Sequence, residues 1–340
     1  MDTRNIQVVK DLLATPQKIV IVAHQNPDGD AIGSSLGLFY FLKSMPEHQV
    51  SVVMPNDFPE FLKWLPGVDE VQIFEKDMEG VSAIISRASV IFTLDFNTFS
   101  RVGKMEMALR EATAKFVMID HHQLPDTYAT ATFSDVTMSS TSEYVFHVIK
   151  SLQPEYLISK EIGTCLYTGI MTDTGSFRYA TTSPTTHRVA ATLLEAGVSN
   201  AAIHEHVFDA NTPQRMNLLG VALKNLVVLP EYRTAYITLT QQELDENHFR
   251  KGDTEGFVNY ALSVRGVILA AIFIENKQEQ IVKISFRSKG IFSVNDFARN
   301  YFNGGGHINA AGGRSNKSLE ETIIEFKTIL KEHKASLNAD

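Results

Sequence analysis

The sequence has a single cysteine, Cys165, among 340 residues. A disulfide framework is therefore excluded, and a cytoplasmic protein is the simplest expectation. Cys165 stands in an apolar stretch, which predicts a buried small side chain rather than a reactive thiol.

Long apolar runs are also missing. The longest strongly apolar run, Val267–Ile274, is far shorter than the roughly 20 residues that span a bilayer. The first residues, Met1–Asn5, lack the basic-then-apolar order of a signal peptide. We therefore expect no membrane partner. Fixed-period repeats and low-complexity segments are absent too.

The chain has fewer basic than acidic residues: it contains 31 Lys and Arg and 39 Asp and Glu, which gives a net charge of -8. Proteins that bind long nucleic acid through its phosphates normally carry a basic face. Long duplex nucleic acid is therefore not an expected partner, whereas a short substrate in one local basic pocket is compatible with this charge. The length suits two domains, and 44% hydrophobic residues allow packed cores.

The first half of the chain alternates short apolar runs with helical patterns. Strands are predicted at Lys18–Ala23, Gln49–Met54, Glu70–Phe74, Ser89–Leu94 and Lys115–Ile119. Helices are predicted at Ala31–Lys43, about Val102–Ala112, Glu143–Ser151, Lys160–Met171 and Pro184–Ala196. Continuously apolar strands are typical of a sheet covered on both faces. The pattern predicts a doubly wound α/β domain with a mainly parallel sheet.

The second half predicts a smaller α/β domain with a mixed or antiparallel sheet. Its strands are predicted at Arg233–Thr240, Gly266–Glu275 and Gln280–Arg287, with a hairpin around Asn276–Glu279. Its helices are predicted at Glu255–Val264, Ser293–Phe302 and Leu319–His333. We assign residues 1–198 to a catalytic domain, 199–216 to a polar connection and 217–340 to a substrate-binding domain. The active site is expected in the cleft between the two domains.

Acidic and imidazole side chains follow three of the predicted strands. The first strand runs into His24-Gln25-Asn26-Pro27-Asp28-Gly29-Asp30, another ends at Asp95, and a third ends at Asp120-His121-His122. Asp173 follows a predicted helix. The carboxyl ends of parallel strands line one crevice, so these side chains should converge.

Such a cluster would repel itself unless cations neutralised it. Asp and His ligands together suit manganese, iron, zinc or magnesium, and the mixture favours manganese. Two ions about 3.5–4 Å apart would activate water and polarise a phosphoryl group. Asp95 is the natural bridging ligand. Each motif alone has an ordinary interpretation, such as a turn and helix N-cap at Asp28-Gly29-Asp30, but four at one sheet edge favour a metal site.

The second half carries a candidate phosphate site at Gly304-Gly305-Gly306-His307. A glycine run allows backbone amides to form an anion nest, although a flexible turn is the alternative. Arg287, at the end of a predicted strand, suits bidentate contact with phosphate. Arg178 would either reach substrate phosphate or form a surface ion pair.

Together these motifs resemble the DHH phosphoesterase family, named for the Asp-His-His seen here at Asp120-His121-His122. His24–Ala31, Asp95 and Thr172–Gly175 are similar to its other catalytic motifs, and Gly304–His307 to its associated substrate-binding domain. Among its members the chain resembles the nanoRNase or oligoribonuclease type. That likeness implies manganese-dependent hydrolysis of short oligoribonucleotides to nucleoside monophosphates, and of 3'-phosphoadenosine 5'-phosphate (pAp) to AMP.

The resemblance also implies residue roles. His24, Asp28 and Asp95 would hold one Mn²⁺, with Mg²⁺ or Co²⁺ as substitutes. The other ion would be held by Asp30, Asp95, His121 and Asp173. Asp120 would orient the histidines, and His122 would contact the reacting phosphate.

Three alternative functions stay open: a linear or cyclic dinucleotide phosphodiesterase acting on pApA or cyclic di-AMP, a manganese pyrophosphatase, and a nucleotide sensor without catalysis. Gly304–His307 argues against the pyrophosphatase, and the full ligand set argues against the sensor. A homodimer also stays open.

Overall fold

The computed structural model describes residues 2–338, and the chain divides into two compact units between Ala210 and Asn211. This division lies inside the segment 199–216 that was predicted to be a connection. Helix α8 (Asn200–Phe208) precedes the division, and helix α9 (Pro213–Lys224) follows it.

The first unit is built from one sheet and its flanking helices. Its strands are β1 (Lys18–Val22), β2 (Gln49–Met54), β3 (Val71–Ile73), β4 (Val90–Leu94), β5 (Lys115–Asp120) and β6 (Ala131–Ser134). The helices before α8 are α1 (Thr3–Leu13), α2 (Gly29–Lys43), α3 (Met78–Ser86), α4 (Glu106–Glu111), α5 (Thr141–Leu152), α6 (Lys160–Asp173) and α7 (Pro184–Glu195). Short 3-10 turns cover Glu60–Leu62, Val68–Glu70 and Phe99–Met105.

The strand order of this sheet is β3-β2-β1-β4-β5-β6, and every neighbouring pair is parallel. The predicted doubly wound sheet is therefore confirmed. The order reverses between β1 and β4, which is where open parallel sheets bind ligands, at the carboxyl ends of the strands.

Strand β1 shows why the apolar runs are continuous. Ile19 and Ile21 pack into the core on one face, whereas Val20 and Val22 pack into a second core on the other face. Successive strand side chains point to opposite faces, so a strand covered on both sides needs apolar residues throughout.

Glycines let α2 and α6 pack closely, which brings the carboxylates of both helices together. A Cβ added at Gly33 would lie 2.5 Å from the backbone oxygen of Cys165. One added at Gly29 would lie 2.3 Å from Thr172 Oγ1. Asp30 stands near the start of α2 and Asp173 ends α6, so this contact sets their separation.

The predicted helix over 102–112 is wrong in its first half. Residues Phe99–Met105 form a 3-10 segment interrupted at Gly103, and only α4 is α-helical. Gly103 has φ 57° and ψ -128°, and a Cβ there would lie 2.7 Å from the Gln25 amide carbon. The apolar periodicity could not reveal this break.

The predicted starts of helices α5 and α7 lie within two residues of the observed starts. Ser183 caps α7, with Pro184 at its first position, and Ser140 caps α5 through the Glu143 amide. The Glu143 carboxylate accepts hydrogen bonds from Ser139 and Thr186.

The second unit contains a six-stranded mixed sheet. After α9 it consists of β7 (Val227–Leu229), β8 (Thr234–Leu239), α10 (Gln241–Glu246), α11 (Phe257–Leu262), β9 (Leu269–Asn276), β10 (Ile281–Ser288), α12 (Val294–Tyr301), β11 (Gly305–Gly306), β12 (Ala310–Ser315), α13 (Leu319–Glu332) and α14 (Lys334–Asn338). A 3-10 turn covers Pro230–Tyr232. The strand order is β11-β12-β10-β9-β8-β7.

In this sheet β8 and β9 are parallel and the other pairs antiparallel, so the predicted mixed sheet is confirmed. The hairpin predicted between β9 and β10 is present. Within residues 2–338, none of the helices is long and apolar enough to cross a membrane.

Candidate active site

The sheet edge at the carboxyl ends of β1, β4 and β5 gathers the predicted side chains of the first unit. His24 lies just beyond β1, Asp95 directly follows β4, and Asp120 is the last residue of β5. His24, Asp30, Asp95, Asp120, His121 and His122 are all buried, whereas about half of the Asp28 side chain is exposed.

One group consists of His24, Asp28 and Asp95. His24 Nε2 lies 3.3 Å from Asp95 Oδ2 and 3.9 Å from Asp28 Oδ1. One potential ligand atom from each residue lies within 4.8 Å of the others. His24 Nδ1 faces the Gln25 carbonyl at 2.9 Å, which fixes the imidazole with Nε2 toward the carboxylates.

A second group surrounds His121. Its Nε2 lies 3.5 Å from Asp95 Oδ1, 3.5 Å from Asp173 Oδ2 and 3.8 Å from Asp30 Oδ2. His121 Nδ1 lies 3.2 Å from the Met138 carbonyl, so the ring is oriented in the same way as His24. Asp95 belongs to both groups, with one oxygen toward each histidine.

Asp120 contacts both the backbone and the imidazole of His122. Asp120 Oδ2 accepts the His122 backbone N–H at 2.9 Å, and Asp120 Oδ1 lies 2.8 Å from His122 Nδ1. His122 Nδ1 is also 3.7 Å from Asp95 Oδ1. The fully buried Asp120 therefore fixes the orientation of this imidazole beside the two groups.

The start of α5 contacts both groups, and sequence reasoning missed this. The backbone amides of Thr141 and Ser142 donate to Asp30 Oδ2 and Oδ1 at 2.6 and 2.8 Å. The Thr141 hydroxyl donates to Asp95 Oδ1 at 3.0 Å. The signal in the sequence was the helix predicted at Glu143–Ser151, because a helix N-terminus favours negative charge.

Burial and the neighbouring charges shift the pKa values of Asp30 and Asp95. Burial raises the pKa of Asp30, and the charges of Asp95 and Asp173 raise it further. Burial would also raise the pKa of Asp95, but hydrogen bonds to His121 and His24 hold it well below its usual range.

The carboxylates raise the pKa values of the two imidazoles, His24 and His121. Burial opposes protonation of His24, yet the hydrogen bond to Asp95 and the charge of Asp28 raise its pKa to about 9. For His121, too, Asp95 and Asp173 outweigh burial and raise the pKa well above its usual value. The neighbouring carboxylates therefore favour the protonated form of both imidazoles and raise the pKa of each.

This donor set fits divalent metal ions. The buried oxygens and imidazole nitrogens match the ligands of manganese, iron, zinc or magnesium, and cations would replace the protons on the histidines. Among the described residues, three groups that could hold metal share Asp95, and its partners in them are His24 with Asp28, Asp30 with His121, and Asp120 with His122.

In the second unit, the glycine segment is a strand rather than an open anion nest. Gly305 and Gly306 pair with β12. The amide of Gly304 donates to Ala298 O, that of Gly306 to Asn295 Oδ1 and that of His307 to Ala310 O. These three amides are already bonded within the protein, so the nest expected from the sequence does not form from them.

Two predicted arginines occupy different settings. Arg287 lies on β10, where Nη1 donates to the Phe286 carbonyl at 3.0 Å and the buried Nε has no hydrogen-bond partner among the described residues. Arg178 belongs to the first unit, in the turn after Asp173, and its Nε donates to the Gly175 carbonyl at 2.8 Å. The structure shows no surface ion pair for Arg178 among the residues described.

Comparison with known proteins identifies both halves of the chain. Residues 18–170 match the DHH family, N-terminal domain, and residues 234–334 match the DHHA1 domain. The bifunctional oligoribonuclease and PAP phosphatase NrnA of Thermus thermophilus is 32% identical over 305 residues, which cover 90% of this chain and 86% of that protein. A probable bifunctional oligoribonuclease and PAP phosphatase NrnA of Streptococcus mutans is 30% identical, covering 92% and 95%.

A solved structure agrees over the whole fold. The crystal structure of an exopolyphosphatase-related protein from Bacteroides fragilis has a TM-score of 0.94 and 39% sequence identity, covering 99% of this chain and 98% of that one. The motif Asp120-His121-His122, the two domain matches and these relatives lead to one assignment. The chain belongs to the DHH phosphoesterase family.

Proposed function

We propose that this chain is a metal-dependent phosphoesterase that hydrolyses short oligoribonucleotides to nucleoside monophosphates and pAp to AMP. The observation that carries the proposal is the position of Asp95, whose two oxygens face the two groups around His24 and His121. Relatives that carry the oligoribonuclease and PAP phosphatase name over most of their length support the substrate class. The single buried cysteine agrees with the cytoplasmic location we expect.

We assign one Mn²⁺ to His24, Asp28 and Asp95, and a second to Asp30, Asp95, His121 and Asp173. Mg²⁺ or Co²⁺ would substitute. Such a pair supplies activation of water near neutral pH and neutralisation of charge on the phosphoryl group.

The remaining roles belong to side chains outside these two sets. His122, held by Asp120, contacts the reacting phosphate in this proposal. Arg287, His307 and the close-packed glycines from Gly304 to Gly306 bind the substrate, and Arg178 adds a contact to its phosphate. Arg287 is suited to this role because its buried Nε lacks a hydrogen-bond partner among the described residues.

The solved relative suggests a second candidate. The Bacteroides fragilis protein is described as exopolyphosphatase-related, and it matches this chain at 39% identity. Hydrolysis of polyphosphate therefore belongs among the activities to be tested, beside dinucleotides and pyrophosphate.

A substrate panel separates these functions. Purified protein with Mn²⁺ is incubated with pAp, linear pApA, short RNA, cyclic di-AMP, pyrophosphate and polyphosphate, and the rates are compared. Asp95→Asn serves as the test variant, and Asp69→Asn, at an exposed position, as the matched control. We expect pAp and short RNA to be the best substrates and Asp95→Asn to lose more than about 100-fold, the upper end of the cost of losing an outer partner of a metal ligand.

Three results would contradict the proposal. Turnover of pyrophosphate or polyphosphate alone would refute the RNA substrate class. Nucleotide binding with no metal-dependent turnover would indicate a nucleotide sensor without catalysis. Full activity in Asp95→Asn would refute the shared ligand, even if the substrates were as expected.

A further inference from the structure

Thr141 contacts both metal-ligand groups but belongs to neither. Its hydroxyl donates to Asp95 Oδ1 at 3.0 Å, and its backbone amide donates to Asp30 Oδ2 at 2.6 Å. The residue is completely buried. One residue therefore touches the carboxylate shared by both groups and a carboxylate of the second group.

The hydroxyl restricts the rotation of the Asp95 carboxylate. Asp95 Oδ2 lies 3.3 Å from His24 Nε2, whereas Oδ1 lies 3.5 Å from His121 Nε2. Rotation about the bond that carries a carboxylate has only broad preferences, so the side chain alone does not select this orientation. The hydrogen bond from Thr141 to Oδ1 restrains it, beside the contacts of Asp95 with His24 and His121.

The backbone of Thr141 is held independently of its hydroxyl. Ser140 caps the helix through the Glu143 amide at 3.0 Å. The Glu143 side chain, 2% exposed, accepts a hydrogen bond from Thr186 Oγ1 at 2.9 Å and another from Ser139. Removing the hydroxyl alone should therefore leave the start of α5, and its amide contact with Asp30, in place.

We propose that Thr141 is a positioning residue that keeps Asp95 in the rotation at which its two oxygens serve two divalent cations. This inference rests on the proposed function, because it requires two ions that share Asp95. Hydrogen-bond partners of metal ligands commonly contribute about 10- to 100-fold to metal affinity.

The test compares Thr141→Val, which removes the hydroxyl and keeps the branched shape, with Thr141→Ser, which keeps the hydroxyl. Thr168→Val is the matched control, since Thr168 is equally buried and, among the described residues, its hydroxyl bonds only the Thr164 carbonyl of its own helix. Metal-free protein is titrated with Mn²⁺ by calorimetry. The Mn²⁺ concentration for half-maximal pAp hydrolysis is measured in parallel.

Thr141→Val should weaken the binding of at least one ion by about 10- to 100-fold and raise the half-maximal Mn²⁺ concentration correspondingly. Excess Mn²⁺ should restore much of kcat, and KM for pAp should stay unchanged. Thr141→Ser and Thr168→Val should both resemble the wild type. A general loss of stability would not produce this combination of rescue by metal and by serine.

Wild-type Mn²⁺ affinity in Thr141→Val would overturn the positioning role and leave the proposed function intact. A wild type that binds fewer than two ions would refute the proposed function itself. If Thr141→Val does not fold, Thr141→Ala takes its place, and equal Mn²⁺ affinities in the alanine and serine variants would overturn the inference.

Discussion

At the scale of single residues, Asp95 combines a central position with an unfavourable backbone. Its φ of 61° lies in the left-handed region, which costs most residues roughly 1–2 kcal/mol, although Asp tolerates it better. The Asp95 amide donates to the Ile119 carbonyl at 3.1 Å, so the neighbouring strand stabilises this conformation. The turn directs the carboxylate into the cluster, where both histidines reach it.

Metal binding should release protons, because the neighbouring carboxylates raise the pKa of His24 and of His121 and so favour their protonated forms. His24 has a pKa of about 9, so it is protonated at about pH 7.5, whereas a metal ligand must be neutral. We expect the apparent Mn²⁺ affinity to rise with pH up to about 9. Calorimetry in two buffers of different ionisation enthalpy measures the protons released.

The same shift in the pKa of His24 determines how the stability of the metal-free protein changes with pH. A raised histidine pKa stabilises the fold fully below the usual value of 6.5, and this contribution is lost as the pH rises through about 9. His24→Asn should reduce both the proton release and this loss, whereas His187→Asn, in helix α7, should change neither. Mn²⁺ binding without proton release at about pH 7.5 would contradict the assigned protonation.

At the scale of elements, the approach of α2 to α6 sets the distance between Asp30 and Asp173. Gly33 and Gly29 provide the close contact, because any side chain would meet Cys165 or Thr172. Both helices start at polar caps, Asp28 for α2 and Ser159 for α6. The cap at Asp28 also confirms the ordinary interpretation of that motif, which coexists with the proposed ligand role.

Gly33→Ala should therefore destabilise the protein and weaken metal binding together. Its Cβ would lie 2.5 Å from the Cys165 carbonyl oxygen, and forcing helices apart typically costs about 1–3 kcal/mol. Chemical denaturation and Mn²⁺ titration measure the two effects.

Gly220→Ala is the control for Gly33→Ala, because Gly220 is also helical and its added Cβ would meet nothing within 4 Å. This substitution should stabilise the protein by about 0.5–1 kcal/mol through the usual helix preference for alanine. If Gly33→Ala were as stable as Gly220→Ala and bound Mn²⁺ normally, the close helix contact would not be what fixes the site.

At the scale of the whole molecule, each unit has its own hydrophobic cores. The two cores of the first unit contain no residue beyond position 207, and those of the second contain none before position 218. Residues 209–212, where the division falls, are exposed.

We expect residues 1–210 to fold alone, because truncation there leaves both cores complete. The fragment should bind Mn²⁺ with the stoichiometry of the full chain but hydrolyse pAp with a much higher KM, since Arg287 and His307 are missing. Circular dichroism, Mn²⁺ titration and kinetics test this. Complete retention of kcat/KM would show that the second unit does not bind the substrate.

Much of this organisation was readable from the sequence. Continuous apolar runs predicted the parallel sheet, because strands with two covered faces have no polar side. Acidic and imidazole groups at the strand ends predicted their convergence, because parallel strands share one edge. Local patterns determine such features, so the sequence alone predicts that His24, Asp95 and His121 converge.

Other features depended on tertiary contacts. Gln25 lies so close to Gly103 that an added Cβ would clash with it, the start of α5 contacts Asp30, and the glycine run from Gly304 pairs with β12 as a strand. Motif and periodicity describe neighbours along the chain, and they did not specify which side chains and amides make these contacts. The sequence by itself thus determined which residue types meet at the sheet edge, whereas only the tertiary structure decided how Thr141 orients Asp95, because that contact joins the end of one strand to the start of a helix 46 residues later.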